Sequence, residues 1–233
     1  FIIGYIVGTK WLKLDKETTI LTSAGSSICG AAAVLATEPV VNAEAHKSAI
    51  AVSTVVVFGT IAMFLYPCLY TMGVIPLTPE QMGVYIGGTL HEVAHVVAAG
   101  NALGEEASQT AVIVKMIRVM MLAPFLVFLG IWLLQSSQGI ANKQKNKIMI
   151  PWFAVWFIVV AGFNSLDLLP QTVVFNINAI DTFLLTMAMS ALGMETSIEK
   201  FKNVGMKPIY LASILFVWLM FGGFYIVKIS LSL

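Results

Sequence analysis

The sequence predicts an all-α, polytopic membrane protein, and three observations support this fold class. Hydrophobic residues make up 58% of the 233 residues and charged residues only 11%, whereas a soluble domain carries about 25% charged residues. The mean hydropathy is +0.89. The apolar residues gather into segments long enough to cross a bilayer. This composition excludes a soluble enzyme, a disordered protein and a partner of nucleic acid with a basic face.

The apolar segments indicate one transmembrane domain over residues 1–233. A spanning helix needs about 20 apolar residues, and five segments meet this condition clearly. They cover residues 48–70, 109–134, 148–166, 174–194 and 208–230. Two further segments, 21–38 and 83–100, are rich in Gly, Ala, Ser and Thr. Because small side chains let helix backbones approach closely, we expect these two to pack against neighbours or to line a site.

The first residues are apolar but too few to cross a membrane. Phe1–Gly8 follows no basic region, so it does not resemble a signal peptide. We expect it to be the end of a helix whose beginning is missing, and the chain to be part of a longer protein.

Basic residues cluster in three loops, which the positive-inside rule places in the cytoplasm. These loops hold Lys10, Lys13 and Lys16; Lys143, Lys145 and Lys147; and Lys200, Lys202 and Lys207. The intervening loops are mainly acidic and include Glu44 and Glu105. Two topologies agree with this alternation: seven segments each cross, or 21–38 and 83–100 are both re-entrant. We expect the C-terminus to lie outside.

An internal repeat relates residues 21–70 to residues 83–134. A shift of 62 positions places 25–37 on 87–99, with small residues matching small residues and apolar residues matching apolar ones. Each unit is a small-residue segment followed by a span, and three further spans follow in 148–230. The match is either chance similarity between apolar runs or a duplicated element of the kind that transporters place at the bilayer midplane.

The small-residue segments carry residue types that suit an anion. A helix that begins at glycine presents free N–H groups and the positive end of its dipole. We expect a small anion to bind near Gly25, Ser26, Ser27, Cys29, Gly30, Gly87, Gly88, Thr89, Lys115 and Arg118. Lys115 and Arg118 share one helix face. They either extend to the membrane interface or face the site.

His91-Glu-Val-Ala-His95 matches H-E-x-x-H, in which two histidines on one helix face bind zinc and the glutamate is the base. An intramembrane zinc protease is therefore one alternative, and a non-transporting protein that only packs or binds a partner is another. We favour an ionisable cluster lining a substrate or proton path, in which His91, Glu92 and Asp181 carry protons. This hypothesis involves no metal, no cofactor and no enzymatic activity.

Four stretches resemble the YeiH-like family of bacterial inner-membrane proteins, which are labelled sulfate exporters. They are LTSAGSSICGAAAVLATEPV at 21–40, HEVAHVVAAG at 91–100, RVMMLAPF at 118–125 and IPWFA at 150–154. The family usually has Gln where His95 stands, which argues against His95 as an obligatory zinc ligand.

The resemblance implies a multi-pass protein of the bacterial inner membrane whose N-terminal spans are missing from this chain. It implies inverted repeats and broken helices, as in the bile-acid/sodium symporter fold. It also implies export or exchange of a sulfate-like anion across the lipid bilayer by alternating access. Transporters of this size often form homodimers, although no feature of the sequence marks an interface.

Overall fold

The computed structural model describes residues 1–136, 156, 159–160, 162–163, 165–166, 169–195 and 205–230. Every regular element in this part of the chain is a helix, which confirms the all-α class. In chain order they are α1 (Ile2–Ile6) with its π-helical continuation (Val7–Trp11), α2 (Lys16–Ser27), α3 (Ala31–Val41), α4 (Ala45–Thr71), α5 (Pro79–Thr89), α6 (Val93–Asn101), α7 (Glu105–Met120), α8 (Leu122–Ser136), α9 (Gln171–Glu195) and α10 (Met206–Ser230). The basic residues at 143–147 and 200–202 lie outside the described residues, as does much of the predicted span 148–166.

Three helical stretches among the described residues are long and apolar enough to cross a membrane: Ala45–Thr71, Glu105–Leu133 and Met206–Ser230. The first is α4, the second combines α7 with most of α8, and the third is α10. They confirm the spans predicted at 48–70, 109–134 and 208–230. The span predicted at 174–194 coincides with α9, which is helical over 25 residues but is not among these three.

Each small-residue segment folds as two short helices instead of one. Residues 21–38 are divided between α2 and α3 by a turn at 28–30, where Gly30 has φ +71°. Residues 83–100 are divided between α5 and α6 by extended backbone at 90–92. Glycine populates a positive φ without the steric cost that a Cβ brings, so Gly30 allows the first turn to be sharp.

Helices α2 and α3 form a hairpin that enters and leaves at one end of the molecule. Lys47, in the first turn of α4, places its Nζ 2.7 Å from Oε2 of Glu17 and 3.4 Å from Oδ2 of Asp15, at the start of α2. At 1.5 Å per residue, a straight path through α2 and α3 would separate these groups by roughly 40 Å. The segment 21–38 is therefore re-entrant.

Helices α5 and α6 form a second hairpin, which enters from the opposite end. Gly83 lies against Ala107 and Gly87 against Ala111, so α5 runs parallel to α7 at backbone contact. The last turn of α6 lies against Ser108, so α6 returns antiparallel to α7. Both ends of this hairpin therefore lie where α7 begins.

The long helix α4 connects the two ends, so the two hairpin-plus-span units run in opposite directions. A hairpin adds no crossing, and each unit crosses once. The topology with seven crossings is therefore excluded, and Glu44 lies at the same end as Lys10, which the positive-inside rule makes cytoplasmic. The origin of 21–70 and 83–134 by duplication stays a prediction.

Helix α10 packs across α2, α4 and α5 and ties the second hairpin to the spans. Tyr66 of α4 stacks on Tyr85 of α5 with ring centroids 4.7 Å apart. The hydroxyl of Tyr85 donates a hydrogen bond of 2.8 Å to the carbonyl oxygen of Met220 in α10. Both rings are fully buried, so α5 has a fixed position beside both helices.

We expect thiol labelling to distinguish the re-entrant topology from seven crossings. In a background with Cys29→Ala and Cys68→Ala, an impermeant reagent should label Lys10→Cys and Glu44→Cys from the cytoplasmic side. Glu105→Cys should be labelled only from outside. Labelling of Glu44→Cys from the same side as Glu105→Cys would restore the topology with seven crossings.

Candidate functional site

The two hairpin turns meet at the middle of the span formed by α7 and α8. Lys115 is completely buried there. Its ammonium donates hydrogen bonds to the carbonyl oxygens of Ile28 at 3.0 Å, Leu90 at 2.7 Å and His91. One side chain of α7 therefore contacts the turn of each hairpin.

Arg118, one helical turn later, contacts the same two turns. Its Nε donates to the carbonyl oxygen of Ser27 at 2.9 Å and its Nη2 to that of Ser26 at 2.7 Å. Its Nη1 donates to the carbonyl oxygen of Leu90 at 2.7 Å. Because a guanidinium has five N–H groups, two of them remain for another partner.

These contacts explain how helices can end inside a membrane protein. The last carbonyl groups of a helix have no partner within that helix and carry the negative end of its dipole. Lys115 and Arg118 satisfy carbonyls at the ends of α2 and α5 and neutralise both dipole ends. All three N–H groups of Lys115 are used in this way, so this residue can attract an anion by its charge but has no free donor for it.

A carboxylate occupies the beginning of α3. The N–H of Ala31 donates a hydrogen bond of 3.3 Å to Oε1 of Glu92, which is only 7% exposed. A Cβ at Gly30 would lie 2.5 Å from Cγ of Glu92. Glycine at position 30 therefore makes room for the side chain that binds the positive end of the α3 dipole.

His95 of α6 lies between this carboxylate and α4. Its Nε2 is 3.3 Å from Oγ1 of Thr60, whose own proton is donated to the carbonyl oxygen of Val56 at 2.9 Å. Nε2 must therefore be the donor. Nδ1 faces Oε2 of Glu92 at 3.7 Å. Without a proton on one of them, Nδ1 of His95 and Oε2 of Glu92 would be two hydrogen-bond acceptors that face each other in a buried place. Gly59 leaves space for this ring.

The H-E-x-x-H pattern does not lie on one helix, because His91 and Glu92 lie in the break before α6. The expectation that His91 and His95 share a helix face is therefore wrong. His91 is buried, and its Nδ1 has no partner among the described residues. In the described ranges no three His, Cys, Asp or Glu side chains converge as metal ligands do.

The expected anion donors lie at helix ends rather than helix beginnings. Gly25, Ser26 and Ser27 are the last three residues of α2. Gly87, Gly88 and Thr89 are the last three residues of α5. The expectation that they present N–H groups at the start of a helix is wrong, since the breaks come just after them. Contact of these residues with a substrate stays a prediction.

We call the ionisable residues at the hairpin turns the central cluster; they are His91, Glu92, His95, Lys115 and Arg118. The remaining predicted residues lie partly beside this cluster and partly elsewhere. Gly30 precedes a helix, as expected. Cys29 is buried in an apolar cluster with Ala33 and Leu122. Asp181 is exposed on α9, and in the described part of the chain it forms no ion pair with Arg118.

Sequence reasoning missed two members of the cluster, the N–H of Ala31 and the hydroxyl of Thr60. A backbone N–H leaves no mark in a sequence. The sequence indicated Thr60 only weakly. Gly59, which has no side chain, precedes this hydroxyl residue within an apolar span.

Comparison with known proteins finds close relatives over nearly the whole chain. Residues 1–212 match a family described as "Conserved hypothetical protein 698". A UPF0324 membrane protein of Bacteroides thetaiotaomicron is 55% identical over 97% of this chain and 68% of its own length. A UPF0324 membrane protein of Pseudomonas aeruginosa is 52% identical over 100% of this chain and 67% of its own length.

The UPF0324 inner membrane protein YeiH of Escherichia coli K12 is 56% identical over 96% of this chain and 64% of its own length. The chain thus spans about two thirds of the length of these relatives. No solved structure matches it.

We expect Gly30→Ala to lower the free energy of unfolding by about 1–3 kcal/mol, since it combines a positive φ with the Glu92 contact. Gly88→Ala is the matched control, because its Cβ would meet open space within α5. It should change stability by less than about 1 kcal/mol. Thermal unfolding in detergent measures both. Equal effects of the two substitutions would contradict the contact between Gly30 and Glu92.

Proposed function

This chain belongs to the UPF0324 family of bacterial membrane proteins, and from that premise we propose that it forms the path of a transporter for a small anion. It is a multi-pass protein of the bacterial inner membrane. Its relative YeiH of E. coli is named an inner membrane protein, and three of the described helical stretches are long enough to cross a membrane. The transporter would work by alternating access to the place where the hairpin turns meet. Export or exchange of a sulfate-like anion belongs to this proposal.

One observation carries the proposal: a buried carboxylate is bound at the start of α3, between two hairpins that enter from opposite ends. Oε1 of Glu92 accepts a hydrogen bond from the N–H of Ala31 at 3.3 Å. A helix beginning binds carboxylate, sulfate and phosphate groups by the same N–H donors and the same dipole. A position that holds the protein's own carboxylate is suited to a substrate of similar chemistry.

The charges around this position also favour an anion. Lys115 and Arg118 contribute two cations and Glu92 one carboxylate. The negative ends of α2 and α5 oppose the positive ends of α3 and α6, so the helix dipoles largely cancel. The cluster keeps a surplus of one positive charge if both histidines are neutral. A buried, uncompensated cation is costly, and a bound anion would lower this cost.

Helix α2, which ends at the first hairpin turn, carries several buried hydroxyl groups. Among the described residues, Oγ of Ser26, Oγ of Ser23 and Oγ1 of Thr22 are buried in α2 without a hydrogen-bond partner. Buried polar groups of this kind are usually paired with water or a ligand. We infer that α2 lines part of the polar route to the hairpin turns.

We expect thermal stabilisation of the detergent-purified protein by at least one anion from a panel of sulfate, thiosulfate, sulfite, sulfonates, small carboxylates and chloride. A ligand at 100 times its Kd adds about 2.7 kcal/mol to the stability of the folded state. Arg118→Gln should abolish this stabilisation because it removes both the charge and the two remaining N–H donors. Arg118→Lys, which keeps the charge, should retain part of it.

Lys47→Gln is the control, since Lys47 lies at the cytoplasmic end and pairs with Glu17. It should leave anion stabilisation unchanged. Stabilisation by no anion of the panel would overturn the proposal, and so would full stabilisation of folded Arg118→Gln.

A further inference from the structure

The carboxylate of Glu92 is held at the start of α3 by a weak contact. Its Oε1 accepts one hydrogen bond of 3.3 Å, from Ala31, which is long for a carboxylate. Its Oε2 is buried and has no hydrogen-bond partner among the described residues. A buried carboxylate with one long bond and one unpaired oxygen is poorly satisfied, so little has to be broken to release it.

The side chain of Glu92 fills the space beside Gly30 at this helix beginning. A single Cβ placed on Gly30 would lie 2.5 Å from Cγ and 3.2 Å from Oε1 of Glu92. An anion that accepted the N–H of Ala31 would need the space beside Gly30 that the Glu92 side chain fills. Substrate and Glu92 must therefore occupy the position in turn.

Several ionisable groups face this carboxylate from the elements around it. His95 faces it from α6, Lys115 lies near it on α7 one helical turn before Arg118, and His91 precedes it in the break. The thiol of Cys29 lies in the turn before α3. Helix α4 contributes the hydroxyl of Thr60, which holds His95 and does not titrate.

We propose that Glu92 is a tethered competitor of the transported anion, and that protonation of Glu92 vacates the start of α3 for that anion. This inference rests on the proposed function. His95, whose Nδ1 lies 3.7 Å from Oε2 of Glu92, faces the carboxylate and can pass the proton. In the imidazolium form of His95, which carries a proton on both ring nitrogens, the Nδ1–H bond breaks and an Oε2–H bond forms on Glu92, which leaves a neutral imidazole with its proton on Nε2. The neutral carboxyl group loses its attraction to the helix dipole. The anion then replaces Glu92 and accepts the hydrogen bond from the N–H of Ala31.

The competition couples the anion to a proton. The anion binds only when Glu92 carries a proton, so one proton accompanies each anion through the site. The two therefore move in the same direction, and their combined gradients decide whether the anion enters or leaves the cell.

The test measures the apparent Kd of sulfate and of chloride by thermal stabilisation across a range of pH, because neither anion changes its charge near neutral pH. For the wild-type protein, the Kd should rise about tenfold per pH unit once Glu92 is ionised, as expected for one linked proton. Glu92→Gln keeps the shape without the charge, and Glu92→Ala removes the side chain. Both should bind tightly with a Kd that does not depend on pH.

Glu105→Gln is the control, since Glu105 is exposed at the start of α7, where its carboxylate accepts a hydrogen bond from Gln109 of the same helix. It should behave as the wild type. Weaker binding by both Glu92 variants, or an unchanged pH dependence in them, would overturn the competition and leave the anion site standing. Binding of no anion to the wild type or to either variant would overturn the proposed function and the competition together.

Discussion

Six hydrogen bonds from Lys115 and Arg118 to backbone carbonyls hold both hairpin turns against α7. A membrane interior offers no water to satisfy the end of a helix, so a helix can stop there only where protein supplies the partner. Hydrogen bonds to charged groups contribute about 1.5–3 kcal/mol each. Because the carbonyl of Leu90 is bonded to both cations, loss of Lys115 would remove this partner from two carbonyls, those of Ile28 and His91, and loss of Arg118 from those of Ser26 and Ser27. The re-entrant hairpins, the breaks and the central cluster all depend on these two side chains of one helix.

The same two cations also determine the charge at the place where the hairpin turns meet. They satisfy the ends of α2 and α5, and their charge exceeds that of the single carboxylate beside them. The 62-residue shift places Gly30 of the first turn opposite Glu92 of the second. The two turns thus have equivalent positions but complementary roles, because the first supplies space and a helix beginning while the second supplies the carboxylate that fills them.

Much of the fold follows from composition and spacing, but the central geometry does not. Hydropathy alone located α4, α10 and the span formed by α7 and α8, and small residues marked both hairpins. The positions of the breaks could not be predicted, because Lys115 and Arg118 stabilise them from another helix. The re-entrant character of 21–38 is visible only in three dimensions, where Lys47 meets Glu17, which lies 30 residues earlier. Site prediction failed in the same place: the residues expected to donate N–H groups lie before the breaks, and only Gly30 directly precedes a helix.

The glycines of α5 also restrict how such a molecule can change shape. Gly83 and Gly87 bring the backbone of α5 against Ala107 and Ala111 of α7 with no side chain between them. Two helices in backbone contact over two successive turns cannot slide past each other without collision. This close packing favours movement of the second hairpin together with α7 as one body, and α7 carries the cations that donate hydrogen bonds to the first hairpin turn. If the proposed transporter alternates access to the place where the hairpin turns meet, the route to that place would open at the outer surface of this body, where it meets its neighbours.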